Sequence, residues 1–273
     1  MRSEIVQPRL RRGSRAKLLR RYADARAGQP VACLQIGAND GAINDPVHPF
    51  LRDYAWRGLL VEPLSDVFAH QLARTYAGNP RVTLVNRAIA PAEGVLTLHR
   101  LAFSRERWAT GLTSACRTTI EKHIASGYIR RQAAKHGTPL PADERDWIEA
   151  TSVQTTTVAA LLAAHDFPSY DVLCVDTEGF DFEVLKLADL SRHRPDLVIY
   201  ESKHLRPADA LAAQALFGPV YRLFRDGGDT IAVRIGSAAD PVRPAVPLVA
   251  LVATALRKPS LAGLRPALRR SRA

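Results

Sequence analysis

Four short stretches of this sequence gather residue types that do chemistry. Gln35-Ile36-Gly37-Ala38-Asn39-Asp40-Gly41 follows an apolar run and sets small residues where a strand should turn toward a helix. Small residues let the backbone pass close to a ligand, and a helix start presents free N–H groups. Glu62, 25 positions after Gly37, closes a second apolar run just before Pro63. A carboxylate there can accept both hydroxyls of a ribose, because its two oxygens offer several lone pairs. Asp176-Thr177-Glu178-Gly179-Phe180-Asp181 puts three carboxylates within six residues, which is costly unless they bind something or cap a helix. Asp181 has a local explanation as the N-cap of a following helix; Asp176 and Glu178 have none. Glu201-Ser202-Lys203-His204 adds a carboxylate, an ammonium and an imidazole, and His204 is the expected general base because a free imidazole titrates near ~6.5.

The glycine spacing narrows the ligand. A dinucleotide turn needs G-x-G-x-x-G, whereas Gly37 and Gly41 stand as G-x-x-x-G with Asn39 between them, so a pyrophosphate cradle is disfavoured. A nucleoside ligand without a phosphate, such as S-adenosylmethionine, suits the turn better. A nicotinamide-dependent oxidoreductase on a Rossmann-like fold is the alternative enzyme, although no Tyr-x-x-x-Lys pair supports it.

The elements that must position these groups alternate strand and helix. Strands are expected at Val31–Ile36, Gly58–Val61, Val82–Ala90, Gly94–Leu101, Ser152–Thr157, Asp171–Val175 and Asp196–Tyr200, with helices over Pro46–Tyr54, Phe68–Tyr76, Val158–His165 and Phe182–Leu190. This pattern predicts an α/β fold with a mostly parallel sheet, in which ligands bind at the carboxyl ends of the strands. Val220–Phe224 and Thr230–Ile235, separated by Asp226-Gly227-Gly228-Asp229, read as a C-terminal antiparallel hairpin. Residues 104–150 break the rhythm with Trp108, Trp147 and a helical pattern over Thr118–Lys135; they are expected to form an insertion serving as lid or substrate wall.

The chain has 273 residues, 47% hydrophobic and 24% charged, which excludes global disorder and a membrane bundle. Its net charge of +11 is concentrated at the ends. Residues 1–27 carry nine Lys/Arg against Glu4 and Asp24, and residues 240–273 carry seven against Asp240, leaving the middle near −2. The expected division is a basic helical extension over 1–30, a catalytic domain over 31–239 and a basic Pro/Ala/Leu-rich tail over 240–273. Solvated tails are the plain reading; an anionic membrane surface is a possible partner. A non-enzymatic nucleic-acid-binding protein using these ends is the reading from a different class. The apolar run Pro244–Leu256 is shorter than the ~20 residues of a spanning helix. Cys33, Cys116 and Cys174 show no paired spacing, which points to a reducing cytosol, with the inner membrane face as a possible peripheral location.

Gln35–Gly41, Glu62-Pro63, Asn86–Ala88, Asp176–Asp181 and Glu201–Leu205, in this order and spacing, resemble the FkbM family of methyltransferases over about residues 31–235. The resemblance implies a class I, Rossmann-like methyltransferase fold and S-adenosylmethionine as cofactor. It further implies that Gly37, Asn39 and Gly41 line the methionine and adenosine side, that Glu62 holds the ribose, and that Asn86 and Ala88 lie near the adenine. Asp176 would stand by the sulfonium and the substrate, supported by Glu178. Asp40 departs from the neutral residue common at its position. The expected reaction moves a methyl group to a hydroxyl of a small molecule or glycan, with Asp176, His204 and Glu201 as the catalytic set. A metal-free route through His204 is favoured; were Mg²⁺ used, Asp176, Glu178 and Glu201 would hold it.

Overall fold

The structure is a computed structural model that describes residues 14–241. Residues 1–13 and 242–273, with most of both basic ends and the run 244–256, lie outside the described residues.

Among the described residues, ten strands form two sheets: β1 (Ala32–Ile36), β2 (Arg57–Val61), β3 (Val82–Val85), β4 (Ala88–Ile89), β5 (Gly94–Leu101), β6 (Ile148–Thr156), β7 (Val172–Val175), β8 (Leu197–Glu201), β9 (Tyr221–Asp226) and β10 (Asp229–Arg234). The large sheet has the order β3-β2-β1-β7-β8-β10-β9. Its first five strands run parallel, and β10 is antiparallel to both β8 and β9. This is the Rossmann-like arrangement of class I methyltransferases, with the expected C-terminal hairpin closed through Gly227 and Gly228.

Alternate residues of the central strands feed two cores, as strands covered on both faces must. Leu34, Ile36, Leu173, Val175, Val198 and Tyr200 join one cluster with Val158, Leu161, Val184, Leu185 and Phe217. Cys33, Val172, Cys174, Leu197 and Ile199 join the other with Leu19, Tyr22, Phe50, Leu51 and Leu72. The helix Ser14–Ala25, within the segment expected as a basic helical extension, packs against this second cluster. Leu19, Tyr22 and Ala23 share its inner stripe at helical spacing. The Tyr22 hydroxyl donates to Asp196 at 3.0 Å, and Arg15 and Arg26 pair with Asp226, Asp229, Asp171 and Asp196.

Other boundaries shift for local reasons. The strand expected over 82–90 breaks at Asn86: β3 stays in the large sheet while β4 joins a second sheet of order β4-β6-β5. There β5 and β6 pair in antiparallel register from Gly94↔Thr155 to Leu101↔Ile148, so the strand expected at 152–157 serves this smaller sheet and begins inside the 104–150 segment. The helical pattern over 118–135 is two helices, Arg117–Ala125 and Tyr128–His136, parted at Gly127, whose φ is +69°. The insertion shares a small core with the end of β5, formed by Leu101, Ala109, Leu112, Ile120, Ile129 and Trp147. The helix expected over 182–190 ends at Leu187 and a separate turn follows at Leu190–His193. The helix Pro207–Phe217, not foreseen, is Ala-rich and buries only Ala213 and Phe217, so it lacks a readable apolar stripe. No helix among the described residues is long and apolar enough to cross a membrane.

Candidate active site

The carboxyl ends of β1, β2, β7 and β8 bring together the four stretches that the sequence singled out. At the end of β1, Gly37 has φ +82°, and a Cβ there would drive into the backbone carbonyl of Asp176, just past β7. Only glycine lets the two parallel strands end this close. Asn39 follows in the left-handed region at φ +47°, which Asn tolerates better than most residues. Its N–H donates to Glu62 Oε2 at 2.8 Å, while the N–H of Leu64 donates to Oε1 at 2.9 Å. Glu62 is 4% exposed. Burial pushes its carboxyl up to about 7, against the pull of those two N–H bonds and of Arg107. Each oxygen keeps a lone pair for a further donor.

Gly41 and Asn86 serve this turn from behind and line neither of the two cavities described below. A Cβ on Gly41 would approach Leu72 to 2.6 Å and Tyr76 to 2.7 Å, so this glycine packs the turn against the helical stretch 65–75. The Asn86 amide donates to the carbonyls of Glu62 and Pro63 at 2.8 and 3.0 Å and accepts from Ser65 Oγ at 2.8 Å. It fixes the Glu62-Pro63 corner. Asp40 is turned away as well: Oδ1 accepts from the N–H groups of Ala42 and Ile43 at 3.1 Å and faces Arg107 Nε at 3.3 Å. This accounts for its charge at a usually neutral position.

Asp181 is the first residue of the helix Asp181–Leu187 and not its N-cap, which corrects the capping role expected from sequence. Its carboxylate, fully buried, accepts from Thr177 Oγ1 at 3.1 Å, Gly179 N at 3.2 Å and Glu201 N at 3.3 Å. Burial and the nearby Asp176 push its carboxyl up to about 8. It ties the 176–181 turn to the end of β8.

Two cavities open above these strand ends. The first is lined by Gly37, Asn39, Glu62, Arg87, Ala88 and Asp176, with Thr110, Gly111 and Thr113 of the insertion as its cover. It leaves about 80 Å³ for water-sized spheres. The second leaves about 700 Å³ and reaches from Asn44 and Asp45 to Tyr128, Gln132 and Lys203, a size typical of a small-molecule site. Gly37, Arg107, Gly111, Asp176 and Glu178 line both. Asp176 stands at this junction, its carboxyl pushed up to about 6 by burial and by the neighbouring Glu178 and Asp229.

Glu178 itself has φ +50°, a rare conformation for this residue type, and its carbonyl accepts from Ser114 Oγ at 2.7 Å. Its carboxylate Oε2 lies 3.0 Å from His204 Nε2 and 3.9 Å from Lys203 Nζ. Lys203 also pairs with Glu201 Oε1, and His204 Nε2 stands 3.5 Å from Glu201 Oε2. Burial and the flanking Glu178 and Asp176 push the Glu201 carboxyl up, while Lys203 pulls it down. His204 lines neither cavity: its Nε2 is turned into this cluster. Oxygens of Asp176, Glu178 and Glu201 lie within 4.8 Å of one another, so the three carboxylates named as a possible Mg²⁺ set do converge.

Sequence reasoning missed Arg107, Thr110 and His123. All three come from the insertion, where no spacing marks them. Thr110 Oγ1 donates to Asn39 Oδ1 at 3.2 Å, so the insertion is latched to the turn that follows β1.

Comparisons with known proteins agree with this arrangement. The sequence matches the Methyltransferase FkbM domain over residues 35–231. No curated protein matches it. A solved precorrin-6y C5,15-methyltransferase from Geobacter metallireducens GS-15 aligns over 85% of this chain and 90% of its own at 10% identity, with a TM-score of 0.35, a likeness too loose to support any conclusion. The domain match spans most of the chain and all four of the chemistry-bearing stretches at residues 35–41, 62, 176–181 and 201–204, and it displaces the nicotinamide alternative: the chain belongs to the FkbM family of methyltransferases.

Proposed function

We propose that this methyltransferase binds S-adenosylmethionine in the first cavity and methylates a hydroxyl of a small molecule or glycan held in the second. The observation that carries the reading is the junction: two cavities that share Asp176, Glu178, Arg107 and the backbone of Gly37 and Gly111. When bound, the cofactor supplies an electrophilic sulfonium methyl group. The residues of the first cavity suit it. Glu62 can accept from both ribose hydroxyls with its remaining lone pairs. Gly37 and Asn39 bring backbone close to the methionyl part, and Ala88, with Ile89, Leu96 and Leu98 beside it, offers apolar surface for the adenine. Gly41 and Asn86, expected from the family pattern to contact the cofactor, are assigned supporting roles instead.

At the junction, Asp176 is the proposed proton acceptor for the hydroxyl, because it alone of the expected catalytic set faces both cavities. Glu201 orients Lys203, and His204 acts within the buried cluster and not as the direct base. Holding donor and acceptor in line can contribute ~7–11 kcal/mol of effective concentration, and the insertion over residues 104–150 is the proposed lid that does so. The polar lining of the second cavity by Gln132, Lys135 and Lys203 suits a polyhydroxylated acceptor. Three unpaired cysteines support a cytoplasmic setting, and the basic ends support contact with an anionic acceptor or membrane face.

The test is transfer of labelled methyl from S-adenosylmethionine to a panel of glycan and small-molecule hydroxyls. Asp176→Asn is expected to lower kcat by ~10²–10⁴ while S-adenosylhomocysteine still binds. Undiminished kcat in this variant would remove Asp176 from the chemistry.

A further inference from the structure

The insertion carries a residue that the methyltransferase reading does not use. His123, on the helix Arg117–Ala125, meets Glu178 and His204 such that one ligand-capable atom from each lies within 4.8 Å of the others. The His123 and His204 rings stand nearly perpendicular, 86° apart in plane, with centroids 5.4 Å apart. His123 Nε2, Glu178 Oε2 and His204 Nε2 are all buried, and none makes an aligned hydrogen bond. This holds even for His204 Nε2 and Glu178 Oε2, which approach to 3.0 Å without the alignment of a hydrogen bond. Buried polar atoms are seldom left in this state unless something else satisfies them.

We propose that His123, Glu178 and His204 bind a divalent first-row transition cation such as Zn²⁺ or Co²⁺. Two imidazole nitrogens and one carboxylate oxygen are borderline ligands that suit these ions better than Mg²⁺, which favours oxygen alone. Ligands ~2.0–2.1 Å from a metal lie about 3.0–3.5 Å from one another, and the Glu178–His204 separation is already there. The carboxylate trio is the weaker site, because Lys203 already occupies Glu201. Glu178 reaches the cluster only through its left-handed backbone, strain of the kind that collects at functional sites.

The site would join the insertion to the ends of β7 and β8 at the wall of the second cavity, which His123 and Glu178 both line. In the methyltransferase reading, on which this use of the ion rests, an open coordination position toward that cavity would acidify the acceptor hydroxyl beside Asp176.

Titration of the chelator-stripped chain with Co²⁺, followed by visible d–d absorption, tests the site without any turnover. One equivalent is expected to bind, with at least tenfold weaker binding in both His123→Ala and Glu178→Gln and Zn²⁺ displacing Co²⁺. S-adenosylhomocysteine binding by the native chain and by His123→Ala, measured in parallel, keeps failure of the metal site separate from failure of the cofactor reading, and a native-like melting temperature reports that Glu178→Gln is folded. No d–d band in a chain that binds S-adenosylhomocysteine would overturn the proposal, as would unchanged Co²⁺ affinity in His123→Ala. Tighter binding of Mg²⁺ that is lost in Asp176→Asn but kept in His123→Ala would overturn it in favour of the carboxylate trio.

Discussion

Replacing Glu62 by Gln separates the proposed ribose-binding role of this carboxylate from its role in the fold. In the free protein its oxygens accept from Asn39 N and Leu64 N at 2.8 and 2.9 Å. The Gln side chain keeps one acceptor and turns an NH₂ toward the other N–H, leaving one buried donor unsatisfied at a cost of ~1–3 kcal/mol in stability. Toward a ligand, two ribose hydroxyls donating to a carboxylate contribute ~1.5–3 kcal/mol each, against ~0.5–1.5 for a neutral bond. The difference over two bonds predicts a loss of about 2–3 kcal/mol, or ~30–150-fold in Kd. Calorimetric titration with S-adenosylhomocysteine reads this directly, and a 2′,3′-dideoxy analogue provides the internal control. The analogue should bind the variant and the native chain within a few-fold of each other. Equal S-adenosylhomocysteine affinity in the two proteins would refute the assignment of Glu62 to the ribose.

Three further outcomes follow from the same geometry. Glu62 and Asp181 titrate at about 7 and about 8, above their ordinary 4.5 and 3.8. The folded state therefore holds protons that the unfolded chain releases, and stability from these groups is lost as pH rises through that range. The ligand-free chain should melt at a lower temperature at pH 8 than at pH 5, and a melting temperature that rises between them would contradict the burial argument. Gly37→Ala drives a methyl into the Asp176 carbonyl from a backbone at φ +82°. It should cost several kcal/mol, seen as a large drop in urea midpoint, and a native-like midpoint would show that β1 and β7 end further apart. Thr110→Val deletes the 3.2 Å bond to Asn39, worth ~0.5–1.5 kcal/mol; the off-rate of S-adenosylhomocysteine should rise ~2–10-fold by stopped flow, and no change would mean that the insertion does not latch the cavity.

What was legible in the sequence was local. Gly37 and Glu62 announce themselves because a turn and a strand-end carboxylate each follow from neighbouring residues. The three carboxylates named together as a possible ion site do meet. Long-range pairing was not legible. The partnership of β5 with β6 spans the whole insertion, so nothing near Ser152 says which sheet it joins. Asn86 reads like a cofactor contact until its amide is seen bound to the Glu62 and Pro63 carbonyls. The helix Ser14–Ala25 looks like a charged extension because Arg15, Lys17, Arg20 and Arg21 interrupt its short apolar stripe. Its packing through Leu19 and Tyr22, and the pairing of Arg15 with Asp226 and Asp229, are long-range contacts that the local pattern does not carry. His123 and Thr110 matter through contacts made across the fold, which no spacing along the chain records.

The central claim is that S-adenosylmethionine occupies the cavity between the ends of β1 and β2 and the insertion. Hydrogen–deuterium exchange of the full chain with and without saturating S-adenosylhomocysteine tests it most directly. The account predicts slowed exchange in peptides covering 37–41, 62–64 and 107–115, with the helix Pro207–Phe217 unaffected. Unchanged exchange in those three peptides at saturation, or protection confined to other parts of the chain, would contradict it.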